Sequence, residues 1–361
     1  MTATLPDRAE MDETIHTVAA EIDATFTWDY ERSRPALEKL YEKAKSSQWN
    51  ASTDLPWDID VDPEKVASEL QGGTTARFHA LNEMPNSPVA HFGDKEWLRV
   101  GVEIQSSLLS QFLHGEQGAL LCTARIVETV PWIDAKYYAS TQVMDEARHV
   151  EVFGRYLNEK LSSQYRINAN LKSLLDDILA DSRWDITYLG MQIMVEGLAL
   201  AAFGLLHEIT TEPLLKQLLR YVMSDEARHV AFGVLSLKEL YQELTTAEIR
   251  ERQEFALDAA SRLQRRFVQT EVWERMGVDP AAIVKAIDEN PPPQQQLFQT
   301  MLFSKIVPNC KKLGLLDAGD GWLREKFTDL GIIQFEDWVD TGEEYETLDE
   351  VARDRAATPA V

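Results

Sequence analysis

The sequence predicts an all-α protein in which a core of four long helices carries additional N- and C-terminal helices. Apolar residues recur at spacings of three and four along most of the chain, which is the period of one helix face. No segment sustains the alternation of apolar and polar residues that a half-buried strand requires. Two similar sequence blocks, offset by 80 residues, indicate two packed helix pairs, because this period is too long for a solenoid.

The first 93 residues are expected to form a helical arm that packs on the core. Apolar positions at threes and fours predict a helix over residues 9–48. The stretch 49–62 carries Pro56 and several turn-forming polar residues, and 72–93 is irregular, so both are expected to interrupt the helices.

Residues 94–245 are expected to form the core, and residues 246–340 to add helices that complete the same domain. Pro131 is a typical first-turn residue for the second core helix. The tail at 341–361 is acidic and poor in large apolar residues, so it is expected to be flexible. Helices are predicted at 95–129, 131–161, 170–181, 184–207, 212–244, 247–276 and 294–313.

Composition argues against several classes of function. The 60 acidic and 36 basic residues give the 361-residue chain a formal charge of −24. Nucleic acids and anionic membranes are therefore not expected as partners, since both attract basic surfaces. The two cysteines do not form a disulfide framework, and neither a signal peptide nor a run of about 18 apolar residues is apparent. A cytoplasmic protein is expected.

The two similar blocks carry acidic and histidine residues in a pattern typical of metal ligation. Glu146 follows Glu116 by 30 positions, Glu226 follows Glu196 by 30, and both later glutamates lie within Asp-Glu-Ala-Arg-His. Each Glu-x-x-His places its two side chains on one helix face. Two helices that give one glutamate each, and two that give Glu-x-x-His, form the ligand set of a di-metal carboxylate bundle. The predicted ligands are Glu116, Glu146, His149, Glu196, Glu226 and His229.

Such a cluster is electrically balanced by two divalent cations, because four carboxylates face two neutral histidines. Mixed carboxylate and imidazole ligation suits iron or manganese, and both Fe/Fe and Mn/Fe fit these ligands. A ligating histidine usually donates its second N–H to a carboxylate. Asp145 and Asp225 are therefore expected to serve the histidine of the opposite half, with Arg148 and Arg228 offsetting their charge.

The ligand segments resemble those of bacterial multicomponent monooxygenase hydroxylases. The similar segments are 115–119, 144–149 and 224–229, within residues 95–240. These hydroxylases belong to the ferritin-like superfamily, together with ribonucleotide reductase small subunits, acyl-carrier-protein desaturases and arylamine N-oxygenases. The resemblance implies a ferritin-like four-helix core in which one iron is held by Glu116, Glu146 and His149, and the other by Glu196, Glu226 and His229.

The resemblance also implies an O2-activating, non-haem di-iron monooxygenase. Reduced iron would react with O2 to oxidise a small, largely apolar organic substrate, with electrons supplied by a reductase or ferredoxin-like partner. Exposed helix faces are compatible with a homodimer. Offsets from the ligands imply a substrate pocket formed by Phe112, Gly115, Ala119, Met191, Val195, Leu200 and Phe203.

Three positions depart from the patterns of these relatives. The hydroxylases carry a threonine where this chain has Leu200, and the reductase small subunits carry a radical tyrosine where it has Phe153. Arylamine N-oxygenases carry a third histidine where it has Val222. A di-iron oxidase, a desaturase or an N-oxygenase of the same superfamily is an alternative, and a non-catalytic metal-binding or storage bundle is a more remote one.

Overall fold

The computed structural model describes residues 15–70, 80–84, 86–161, 163–289, 298 and 300–342. Within these residues the regular structure is helical without strands, so the all-α prediction is confirmed. The first seven helices are α1 (Pro35–Ser46), α2 (Pro63–Leu70), α3 (Asp94–Thr129), α4 (Ile133–Tyr156), α5 (Ala169–Ala180), α6 (Trp184–Ile209) and α7 (Pro213–Glu243). They are followed by α8 (Thr246–Arg265), α9 (Thr270–Arg275), α10 (Pro280–Glu289), α11 (Ile306–Lys312) and α12 (Ala318–Asp329).

Four long helices form the core in two pairs, with α3 packed along α4 and α6 packed along α7. Helix α1 lies against α4 and α7, and α2 lies against α3. On the other side, α8 packs on α5, α6 and α12. The four core helices therefore meet around one interior. The division of the chain into arm, core, C-terminal helices and tail stays a prediction.

Local sequence sets where helices α7 and α8 begin. Pro213 is the first residue of α7, and the Glu212 carboxylate accepts two backbone N–H groups of its first turn, both at 2.7 Å. Thr245 and Glu248 form a capping box that begins α8. These caps satisfy N–H groups that a helix start leaves unpaired. The turn between α7 and α8 is correspondingly short.

Helix α6 contains a π-helical segment at Leu189–Val195, and a second π-helical segment, Leu157–Leu161, follows α4. A π turn closes its hydrogen bonds from i to i+5, so it shifts the face on which later residues lie. The first segment ends directly before Glu196 and packs against α7. Apolar periodicity does not distinguish π from α turns, so the sequence predicts neither segment.

The helix predicted for residues 9–48 is wrong over residues 15–34, which have no regular secondary structure, while residues 9–14 lie outside the described part. The backbone here bonds to the core instead of to itself. The Thr25 N–H donates to a carbonyl near the end of α3 at 2.9 Å. Asp134, at the start of α4, accepts two backbone N–H groups directly before Pro35 begins α1.

Two C-terminal predictions also change. The helix predicted at 247–276 is interrupted by the 3₁₀ turn Arg266–Val268 and by Gln269, whose backbone is left-handed. The helix predicted at 294–313 begins at Ile306, and residues 290–297 and 299 lie outside the described residues. Most of the predicted tail, from residue 343 onward, also lies outside them. Its flexibility is therefore untested.

By length and composition, helix α6 could cross a membrane, whereas the sequence predicts no membrane-spanning segment. In the structure, 83% of its most apolar window is buried inside the protein. A helix surrounded by other elements is apolar on every side. The composition of α6 therefore follows from its central place in the bundle.

Candidate metal centre

The six predicted ligand residues converge from the four core helices. Helices α3 and α6 give one glutamate each, and α4 and α7 give a glutamate and a histidine each. None of the six residues is more than 5% exposed. Two groups have ligand atoms within 4.8 Å of one another, namely Glu116, Glu146, His149 with Glu226, and Glu146, Glu196 with His229.

Both histidines turn Nδ1 toward the carboxylates. The Nδ1 atom of His149 lies 3.1 Å from an oxygen of Glu116 and 3.1 Å from one of Glu226. For His229, Nδ1 lies 3.0 Å from Glu146 and 3.5 Å from Glu226. Glu146 also approaches His149, at 3.4 Å. The two glutamates of the Glu-x-x-His motifs therefore each lie between both histidines.

On its outer side, each histidine faces the aspartate of the other half. The Nε2 atom of His149 lies 3.2 Å from Asp225, and that of His229 lies 3.4 Å from Asp145. A hydrogen bond at Nε2 fixes the ring and leaves Nδ1 free for a metal ion. These two contacts cross between α4 and α7, so they also tie the two helix pairs together.

Two arginines and two residues that follow α1 complete the outer layer. Arg148 donates to Asp145 at 2.5 Å and to Asp225 at 3.0 Å, and Arg228 contacts the same two carboxylates. Gln48 donates to Asp145 at 3.0 Å, and the Trp49 indole donates to Asp225 at 2.8 Å. Sequence reasoning missed Gln48 and Trp49, because no local pattern relates them to motifs about 100 residues or more away.

Gln142 is a further polar residue inside the site. It lies on α4 one turn before Glu146, and its amide donates to Glu146 at 3.0 Å and to Glu196 at 2.9 Å. Its spacing of four from Glu146 would have revealed it, since such residues share a helix face. The equivalent position in the other half is Val222, which is fully buried. The two halves of the site therefore differ at this position.

Burial and neighbouring charges shift the acidity of the cluster. Burial, followed by the charges of other glutamates, raises the pKa of Glu116 and of Glu196 well above the usual range. Burial alone would lower the pKa of His149 and of His229, but the adjacent carboxylates outweigh it and raise both. Positive charge at the centre of this cluster is therefore strongly favoured, which suits divalent cations.

Several donor atoms of the cluster are buried yet make no hydrogen bond to any described residue. Buried polar atoms are nearly always satisfied, so such a group of atoms indicates a ligand. Carboxylate and imidazole donors in this number fit iron or manganese better than structural zinc. The residues present therefore fit a di-iron centre. The unsatisfied atoms are Glu146 Oε2, Glu196 Oε2, both carboxylate oxygens of Glu226, and His229 Nδ1.

A cavity lies beside the cluster, bounded by helices α3, α6 and α7 and by the turn after α8. Four of the predicted pocket residues line it, namely Phe112, Gly115, Ala119 and Val195. Its other lining residues are Gln111, Glu116, Glu196, Ala199, Glu226 and Arg266. One side of the cavity is thus formed by carboxylates of the cluster.

Met191, Leu200 and Phe203 were also expected in the pocket, but they are not among its lining residues. Met191 lies within the π-helical segment and is fully buried, and Ala199 lines the cavity where its neighbour Leu200 was expected. Phe203 packs behind Phe112, with ring centroids 4.6 Å apart. The π turns bear only on Met191, since Leu200 and Phe203 follow Glu196 in a regular α-helix.

A helical bundle with two matched carboxylate–histidine halves defines the class: the protein is a non-haem di-iron oxygenase of the ferritin-like superfamily, as predicted. Residues 31–314 match the profile of the family described as p-aminobenzoate N-oxygenase AurF, and this match spans most of the chain. The chain belongs to that family. This is a family of N-oxygenases. It belongs to the same superfamily as the hydroxylases that the ligand segments of this chain resemble.

Solved structures of R2-like ligand-binding oxidase are similar over much of the chain. A mutant with an anaerobically reconstituted Mn/Fe cofactor has 19% identity and a TM-score of 0.48, covering 79% of this chain and 94% of that one. A form with an aerobically reconstituted metal cofactor after photoconversion has 18% identity, a TM-score of 0.48 and the same coverage. No match was found among curated proteins. The family assignment rests on the sequence profile.

Proposed function

We propose that this chain is an N-oxygenase that uses O2 to oxidise the amino nitrogen of an aromatic amine. The observation that carries the proposal is a complete, buried set of four glutamates and two histidines in a chain of this family. The family is named for p-aminobenzoate, which makes an aromatic amine the substrate class to test. The cavity beside the cluster is the place next to the ligands where such a molecule would bind.

The six residues would hold two iron ions, and Mn/Fe suits the same donors. Glu146 and Glu226 each approach both histidines, so all four glutamates and both histidines would be available to hold the two ions. When bound, the two irons supply the electrons and open coordination positions that activate O2.

The protein's own side chains would orient the ligands and keep water away from the reaction. Asp225 and Asp145 hold the histidine rings through Nε2. Phe112, Phe153 and Phe203 form a buried aromatic cluster beside the site, with ring centroids 4.6 to 6.0 Å apart. A dry, apolar wall protects a reactive oxidant from water and accommodates an aromatic ring.

The reaction would need electrons from outside, because O2 that gives one oxygen atom to an amine and one to water consumes two electrons. A reductase or ferredoxin-like protein is the proposed donor. The formal charge of −24 favours a donor with a basic docking face. A cytoplasmic location and a homodimer belong to the same proposal, as does the division into arm, core, C-terminal helices and tail.

The proposal is tested by product analysis with labelled oxygen. Protein loaded with Fe(II), a chemical reductant, p-aminobenzoate and ¹⁸O2 should give a product oxidised on nitrogen that contains ¹⁸O, detected by mass spectrometry. Glu146→Ala should give none. A protein that binds iron and consumes O2 but leaves every tested arylamine unoxidised on nitrogen would contradict N-oxygenation.

C-hydroxylation of a small apolar substrate is the second candidate, and Val222 favours it. The resemblance to arylamine N-oxygenases implies a third histidine there, whereas this chain has a fully buried apolar side chain. The same labelling experiment separates the candidates, since hydroxylation places ¹⁸O on carbon. An oxidase or desaturase would leave no ¹⁸O in the product.

A further inference from the structure

Gln142 is a fully buried amide that bridges two of the ligand glutamates. Its Nε2 donates to Glu146 at 3.0 Å and to Glu196 at 2.9 Å, so one nitrogen serves both carboxylates. An amide nitrogen carries two N–H donors, and ionised carboxylates only accept, which makes the three groups well matched. Gln142 is not among the residues that line the cavity beside the cluster. It therefore acts on the ligands and does not contact a molecule in that cavity.

Glu196 depends on this contact more than Glu146 does. Glu146 also lies 3.0 Å from Nδ1 of His229 and 3.4 Å from Nδ1 of His149. For Glu196, Gln142 bonds Oε1, while Oε2 makes no hydrogen bond to any described residue. Loss of the amide would leave a buried carboxylate without the partner that fixes its direction.

The other half of the site has no equivalent donor. The residue 80 positions after Gln142 is Val222, which is fully buried and apolar. Val222 cannot donate to Glu226 or to Glu116, the glutamates that correspond to Glu146 and Glu196. Glu116 instead lies 3.1 Å from Nδ1 of His149. The two halves thus orient their single glutamates in different ways.

The two sets of converging donor atoms differ in whether they contain Glu196. The Glu116 group comprises Glu116, Glu146, His149 and Glu226, and the Glu196 group comprises Glu146, Glu196 and His229. We propose that Gln142 is a positioning residue for the metal ion held by the Glu196 group, which makes the two metal positions unequal. Hydrogen bonds to ligating carboxylates orient them for the metal. The inference rests on the proposed two-metal centre and is independent of its substrate.

Stepwise metal binding tests the inference without turnover. Metal-free protein is titrated with Mn(II), and the electron paramagnetic resonance signal of the free ion gives the amount bound. Wild-type protein should bind two ions, as expected for a di-metal bundle. Gln142→Met keeps the length of the side chain but removes the donor, and should weaken one of the two ions by about 10- to 100-fold. Gln117→Met is the matched control, since Gln117 is exposed on α3, and should bind both ions as wild type does.

Variants with one group disrupted locate the effect. Glu116→Gln leaves the Glu196 group intact, and adding Gln142→Met to it should weaken Mn(II) binding by about 10- to 100-fold. Glu196→Gln leaves the Glu116 group intact, and there the same addition should change the affinity by less than about twofold. A merely structural role of Gln142 would weaken both to the same extent.

Equal weakening in the two backgrounds, or unchanged binding of both ions in folded Gln142→Met, would overturn the inference. Circular dichroism checks the fold, and Gln142→Leu replaces Gln142→Met with the same expected results if the latter does not fold. Wild-type protein that binds fewer than two Mn(II) ions would overturn the two-metal centre, and with it both the proposed function and this inference. Two ions bound equally well by wild type and by Gln142→Met would overturn the inference alone.

Discussion

At the scale of single residues, Asp225 links the candidate metal centre to the rest of the molecule. It accepts hydrogen bonds from Trp49, Arg148 and Arg228, and its carboxylate faces Nε2 of His149. Burial alone would raise the pKa of Asp225, but the hydrogen bond with His149 and the nearby positive charges hold it well below the usual range. Asp225 is therefore a permanent anion behind His149.

Removing that charge should weaken metal binding. We expect Asp225→Asn, which keeps the size of the side chain, to lower iron affinity by about 10- to 100-fold, as is typical for partners of ligating histidines. Competition with a coloured chelator measures the affinity. Glu254→Gln, an exposed acid on α8, is the control and should bind iron as wild type does. Equal affinity in Asp225→Asn and wild type would show that Asp225 does not support the ligand.

The two thiols should be inert in the folded protein. Cys122 and Cys310 are both fully buried, and burial raises the pKa of Cys310 to about 12 and that of Cys122 well above the usual range. Since the thiolate is the reactive form, a thiol reagent at pH 8 should label neither residue in native protein and both in denaturant. Rapid labelling of native protein would contradict the burial of these side chains.

At the scale of elements, the contact between α6 and α7 depends on a glycine. Gly233 on α7 faces Gln192 in the π-helical segment, and a Cβ at Gly233 would lie 2.6 Å from the Cβ of Gln192. Neither atom can move without its backbone. The position of the π-helical segment, and with it that of Glu196, therefore requires glycine at 233.

We expect Gly233→Ala to destabilise the protein by about 1–3 kcal/mol through overpacking, and to reduce iron binding because Glu196 shifts. Urea unfolding measures the stability. Gly204→Ala is the matched control, since Gly204 is also helical but has nothing within 4 Å of an added Cβ. That variant should be as stable as wild type or more stable by up to about 1 kcal/mol. Equal effects of the two substitutions would refute the packing argument.

Some residues of the site could be predicted from the sequence, and others could not. Glu146 with His149, and Glu226 with His229, could be identified because i, i+3 spacing puts each pair on one helix face and the pattern occurs twice. Arg266 could not, because it reaches the cavity only through a break in the helix predicted at 247–276. Met191 was misplaced because periodicity does not reveal π turns. Residues 15–34 have helical spacing, yet their backbone bonds to the core.

At the scale of the whole molecule, the metal centre joins both helix pairs and the segment after α1. The contacts of Asp145 with His229 and of Asp225 with His149 cross between the pairs, and Gln48 and Trp49 close over them. Metal bound at the centre would thus stabilise the entire core, because it satisfies buried carboxylates contributed by all four helices.

Thermal unfolding should therefore depend on metal. We expect iron-loaded protein to unfold at a higher Tm than metal-free protein, with a stabilisation of about 2.7 kcal/mol when free iron is 100 times its Kd. Differential scanning calorimetry under anaerobic conditions measures the shift. Glu146→Ala should show little or no shift on addition of iron. The same Tm for wild type with and without iron would contradict a centre that links the four helices.

The central claim is that four glutamates and two histidines form an oxygen-activating di-iron site. Its most direct test loads protein anaerobically with Fe(II), counts the iron and follows the visible spectrum after exposure to O2. The account predicts about two irons per chain, as in other di-iron bundles, and a transient absorption that is absent in Glu146→Ala. Failure to bind iron, or iron far above two per chain as in storage, would contradict it.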